Sequence, residues 1–130
     1  MPPYTLVNLR EVEDQAPKFG LGEHLESRFA RMPLQLRNSG LSYFRYAPGY
    51  RISFGHHHSY QEEIYVLVEG SARAKIGDDL VELGPWDALR VSPEATRQLE
   101  AGPEGAEIIA FGAQSDGNRD AEMVPGWWTD

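Results

Sequence analysis

The chain has 130 residues, 41% of them hydrophobic, which suits one core and leaves little for a second. Its formal charge is −8, and its twelve basic residues, Arg28, Arg31, Arg37, Arg45 and Arg51 among them, form no stripe, so a nucleic-acid partner is excluded. Cysteine is absent, which rules out a disulfide framework, a thiolate metal site and a cysteine nucleophile; with no apolar window approaching about 18 residues, we expect no membrane span and a soluble, cytoplasmic protein.

Tyr4–Leu9 reads as a strand. Gly22–Arg31 (GEHLESRFAR) carries Leu25, Phe29 and Ala30 at helix-like spacing and is predicted to form about two to three helical turns, with His24 on its surface or in packing contacts. We treat residues 1–40 as a strand and short helix that pack on the main body. From Leu41 onward the chain is punctuated by Pro48-Gly49, Gly55, Gly70, Gly77-Asp78-Asp79, Gly84-Pro85, Ser92-Pro93 and Ala101-Gly102-Pro103. Between the breakers lie short β-rich runs: Leu41–Tyr46, Ile64–Val68, Ala72–Ile76, Leu80–Leu83, Ala88–Val91 and Glu107–Phe111. Many short strands at near-even spacing predict an all-β antiparallel sandwich or barrel over residues 41–112. Residues 113–130 form a tail, polar from Ser115 to Asp120 and then apolar through Trp127-Trp128. Those two indoles are expected to dock on the barrel or on a second subunit.

The stretch "SFGHHHSYQEEIYVLVEG" holds the chemistry. Side chains alternate faces along a strand, so His56 and His58 point one way and His57 the other. Two imidazoles with a carboxylate from the adjoining strand make a nitrogen and oxygen donor set for one divalent transition metal, with Zn, Fe, Mn, Ni and Cu all suited. Alternation does not choose the carboxylate: Glu63 shares a face with Tyr65 and Leu67, and Glu62 shares one with Ile64, Val66 and Val68.

His56-x-His58, four residues, Glu63, six residues and Gly70 resembles the first motif of the cupins, G-x5-H-x-H-x(3–4)-E-x6-G, with Gly49 one residue further upstream than the pattern asks. The likeness runs from about Ser42 to Phe111. It implies a double-stranded β-helix, or jelly roll, holding a metal inside and often paired as a dimer. The six-residue gap to Gly70 selects Glu63 as the ligand and leaves Glu62 on the solvent side or behind the ligands. Tyr65, on the face of Glu63, is placed to line a ligand pocket.

The second cupin motif, G-x5-P-x-G-x2-H-x3-N, is replaced throughout. Trp86, Ser92, Glu94, Arg97 and Ala101 stand at its signature positions, with Arg97 where the fourth ligand belongs. A one-residue slip aligns Pro93 and offers Gln98 as a weaker ligand. Arginine only donates, so Arg97 cannot bind a metal. Three roles stay open for it: to fix an anionic substrate beside the metal, to pair with Glu63 in a metal-free pocket, or to snorkel to the surface. The resemblance therefore implies a small-molecule-binding cupin, a metal-dependent oxygenase or isomerase among the options; the alternative is a metal-free sensing module in which Arg97 holds an anion. A homodimer is expected, built on the apolar outer face of Glu62–Val68 and the Trp127-Trp128 end.

Overall fold

The computed structural model describes residues 2–113 and 120–130. The polar stretch 115–119 lies outside the described residues. Eight antiparallel strands curl into one barrel: β1 (Leu25–Phe29), β2 (Ser39–Tyr46), β3 (Phe54–His58), β4 (Glu62–Ile76), β5 (Asp79–Leu83), β6 (Ala88–Val91), β7 (Arg97–Ala113) and β8 (Ala121–Pro125). The sheet runs β1-β2-β7-β3-β8, and β4 pairs in turn with β5, β6 and β7. No helix among the described residues is long and apolar enough to cross a membrane.

Two long strands build the frame. The runs Ile64–Val68 and Ala72–Ile76 are halves of the single strand β4, and Glu107–Phe111 is the far end of β7. β4 and β7 pair along both halves, from Glu62↔Ala113 to Ile76↔Arg97, with register shifts at Leu67/Glu69 and Gly70/Ala72. Such bulges bend a strand enough to turn the corner of a barrel. Gly70 occupies that bend at φ +87°, and a Cβ there would run into the carbonyl oxygen of Gly105. The glycine of the His-His-Glu-Gly spacing thus marks a place where only a bare backbone fits.

The core lies inside the curl. Tyr65, Leu67, Ala72 and Ala74 from β4 meet Leu99, Ala101, Ile108 and Ala110 from β7, with Leu83, Val91 and Tyr46 closing the cluster. These residues keep the two-residue period within each half of β4 and β7, and the more hydrophobic run Ile64, Val66 and Val68 lies on the other face of β4.

The N-terminal segment departs from its expected form. Gly22–Arg31 is not a helix: Leu25–Phe29 is strand β1, paired from Leu25↔Tyr46 to Phe29↔Ser42. Its burial alternates, with Leu25 and Ser27 buried, and Arg28 salt-bridges Glu26 at 2.8 Å on the other face. A short α1 (Arg31–Leu34) follows it. His24 consequently sits in a turn, stacked on Tyr50 at 5.7 Å between ring centroids, and takes no part in the metal cluster. Tyr4–Leu9 is not a strand either, since no neighbour offers it a ladder. Tyr4 and Leu6 are exposed, and the chain first turns at Leu9–Glu11, where the Asn8 side chain accepts the Arg10 N–H. Asp14 then ties this arm to β1 by accepting the backbone N–H groups of Ala16 and Ser27.

The tail docks on its own barrel. β8 pairs along the whole of β3, from Phe54↔Pro125 to His58↔Ala121, so the histidine strand is no longer an edge. Trp128 is 5% exposed, with the Arg51 guanidinium 4.0 Å from its ring and its backbone N–H donated to Gln98 Oε1. Trp127 lies over Gly55, whose missing side chain leaves room for the indole, and beneath the Lys75 ammonium at 4.6 Å.

Candidate metal centre

Strand alternation delivers the histidines as expected. His56 and His58 face the barrel interior, whereas His57 turns away to Glu122 at 2.7 Å. Glu63 enters from β4, and Glu62 is exposed on the opposite face. His56 Nε2 lies 3.1 Å and His58 Nε2 3.2 Å from Glu63 Oε1. Among the described residues these three alone form a cluster able to hold a metal, with ligand atoms within 4.8 Å of one another. That is close to the span one ion bridges with bonds of about 2.0–2.2 Å.

Asp120 completes the arrangement. It stands just before β8, where its Oδ1 lies 2.7 Å from His58 Nδ1 and its Oδ2 accepts the backbone N–H groups of Tyr60 and Gln61. A carboxylate on Nδ1 fixes the imidazole and leaves Nε2 to face the cluster, as the outer partners of metal-bound histidines do. His58 Nε2 is indeed buried with no hydrogen-bond partner. Asp120 is the residue that sequence reasoning missed: its partner lies 62 residues away in the chain, and no local spacing signals it.

Electrostatics keep the carboxylates ionised. Burial pushes Glu63 up, but the imidazoles of His56 and His58 and the Tyr65 hydroxyl hold it well below the usual carboxylate range. Burial likewise raises Asp120, and hydrogen bonds from His58, Tyr60 and Gln61 outweigh it, bringing the group down to about 2. For His58, burial lowers the imidazole, and the Glu63 and Asp120 carboxylates raise it further than burial lowers it.

Arg97 is inside, not at the surface. It pairs with His56 across β7 and β3, is fully buried, and brings Nη2 to 3.2 Å from Glu63 Oε1. Its Nη1 donates to the carbonyls of Pro93 and Ala95, which anchor it, while Nε and Nη2 have no hydrogen-bond partner. Tyr65 donates its hydroxyl to the same Glu63 oxygen at 2.6 Å. Gln98, the weaker ligand candidate, is committed elsewhere: its Nε2 donates to Ile52 O and its Oε1 accepts Trp128 N–H. Strand parity explains this, since neighbours on β7 face opposite ways and Arg97 takes the inward place. Tyr43 points away from the cluster and hydrogen-bonds Glu107.

The donor set fits a divalent transition metal. Two imidazole nitrogens and one ionised carboxylate oxygen converge, one nitrogen is buried without a partner, and a second carboxylate orients its ring. The cluster opens on a cavity of about 880 Å³, within the range of small-molecule sites.

The solved structures similar to this chain carry the cupin fold. A cupin protein from Bacteroides fragilis aligns at 20% identity over 92% of this chain and 91% of that one, with a TM-score of 0.73. A cupin superfamily protein from Desulfitobacterium hafniense aligns at 20% identity over 70% of this chain and 78% of that one, with a TM-score of 0.59. A variant of oxalate decarboxylase from Bacillus subtilis aligns at 18% identity over 95% of this chain, with a TM-score of 0.77; the chain spans only 34% of that protein. No family model matches the chain, nor does any curated protein sequence.

Proposed function

We propose, from the cupin fold that this chain adopts, that it binds a small molecule beside a single divalent transition metal held by His56, His58 and Glu63, with Arg97 and Tyr65 receiving the ligand. The observation that carries this reading is the convergence of the His56, His58 and Glu63 ligand atoms within 4.8 Å of one another, with the buried His58 Nε2 making no hydrogen bond. Such an ion supplies Lewis acidity toward a bound oxygen. The protein supplies the rest: Asp120 orients His58, Tyr65 hydrogen-bonds the Glu63 carboxylate, and Arg97 presents a fixed cation. Oxygenase and isomerase chemistry both suit a His₂-carboxylate set with open positions.

One observation favours a second reading. Arg97 lies within ion-pair distance of Glu63, so its cation can neutralise the carboxylate in a metal-free, anion-binding pocket. Metal analysis decides between them. Protein purified without a His-tag or nickel column should carry about one transition metal ion per chain, lost in His56→Ala and in His58→Ala. Metal far below stoichiometry in every preparation would leave the metal-free reading standing.

We also propose a homodimer. Ile64, Val66 and Val68 remain half-buried on the outer face, and Phe111 opposite Ile64 is 41% exposed. Light scattering at micromolar concentration should give twice the 14.6 kDa chain mass, and a monomer mass would refute the pairing.

A further inference from the structure

The cavity beside the histidines is much larger than an ion and its waters need, and its walls divide by chemistry. One part is the polar cluster of His56, His58, Glu63, Tyr65 and Arg97. Most of the remainder is apolar, with Leu25, Phe44, Ile52, Leu99 and Ile108 on the wall and Phe29 in an edge-to-face pair with Phe44 at 6.0 Å. Phe29, at 47% exposure, also reaches solvent, so the apolar part of the wall is open to a ligand at its rim.

At the polar end, Arg97 is a built anion receptor. Its Nη1 is held by two backbone carbonyls; the buried Nε and Nη2 groups make no hydrogen bond, and Nη2 lies 3.2 Å from Glu63 Oε1, so a bound anion would share that N–H with Glu63. Those two N–H groups form the side of a guanidinium that takes both oxygens of one carboxylate. The other arginine on the wall among the described residues, Arg31, gives its guanidinium to the carbonyls of Ser39 and Arg37, so Arg97 is the one guanidinium there aimed at the polar cluster. A sugar would require hydrogen bonds along its whole length, and the apolar wall would leave most hydroxyls unpaired.

We infer that the ligand is an amphiphilic monocarboxylic acid, its carboxylate on the Arg97 Nε and Nη2 groups and an aliphatic or arylalkyl body against the apolar wall. This rests on the proposed function only in placing the ligand in the same cavity; it holds with or without the metal.

Calorimetry with the full chain, metal-stripped and metal-loaded, tests it using straight-chain acids from acetate to octanoate, phenylpropanoate, the matching amides, oxalate and glucose. Kd should fall about fourfold per added methylene, the value expected for burying each CH₂. Each amide should bind about tenfold more weakly than its acid, as loss of a charged hydrogen bond predicts. Phe29→Glu, at the rim, should weaken octanoate without disturbing the core. An affinity independent of chain length, equal binding of octanoate and octanamide, or oxalate or glucose binding more tightly than octanoate would overturn the inference. Metal content read on the same samples keeps the two ideas apart. A chain-length trend in protein that never holds metal supports this inference while removing the metal, and stoichiometric metal without a trend does the reverse.

Discussion

Glu63→Ala should abolish metal retention and destabilise the fold by about 3–5 kcal/mol, the usual consequence of leaving a buried charge unpaired. One oxygen of this residue faces His56, His58, Arg97 and the Tyr65 hydroxyl, all within 3.2 Å. Alanine therefore removes a proposed metal ligand and the only carboxylate within ion-pair distance of the fully buried Arg97 among the described residues. The two losses separate experimentally. Denaturant unfolding in the presence of a chelator reads the loss of the carboxylate from its protein partners without the metal, and metal analysis reads the ligand. Adding Arg97→Met to Glu63→Ala should restore much of the stability and none of the metal, because the second change removes the orphaned cation. A single Glu63→Ala variant within 1 kcal/mol of the parent in chelator would show that water reaches Arg97 and that the pair contributes little.

The same residues show how far the sequence could be read. Strand parity was enough to divide His56 and His58 from His57, and the six-residue step to Gly70 in the cupin-like spacing chose Glu63; in the structure that glycine sits at the bend of β4, where a side chain would meet Gly105. For Arg97 the sequence left three roles open, and only the pairing of β7 with β3 and β4 settles that it points inward. The segment around Leu25 misled for a physical reason. Leu25 and Phe29 are four residues apart, an interval that fits one face of a helix and also one face of a strand, so the local sequence did not decide between them. Tertiary pairing with β2 decided the matter. Asp120 was illegible because a carboxylate that orients a histidine is defined by contact, and this contact joins two ends of the chain.

Trp128→Ala should destabilise the protein by about 3–5 kcal/mol, the range for removing a large buried aromatic. Two cations lie against its ring, the Arg51 guanidinium at 4.0 Å and that of Arg73 at 5.3 Å, and both arginines are in turn held by Glu100. Alanine would lose the apolar burial, the cation–π contacts and the anchor of the tail together. The tail matters to the site as well as to stability. β8 is the strand beside His56 and His58, and Asp120, at its start, holds the His58 ring. Loosening the anchor at Trp128 should therefore weaken metal retention even though the indole lies outside the cluster. Asp120→Asn supplies the comparison: it keeps the anchor and removes the charge on His58 Nδ1, so metal affinity should fall by about 10–100-fold, as for other outer partners of metal ligands. Competition with a chelator of known affinity reads both variants. If Trp128→Ala lost stability but bound metal as the parent does, the tail would be a clamp on the barrel alone; parallel losses in the two variants would make it part of the metal centre.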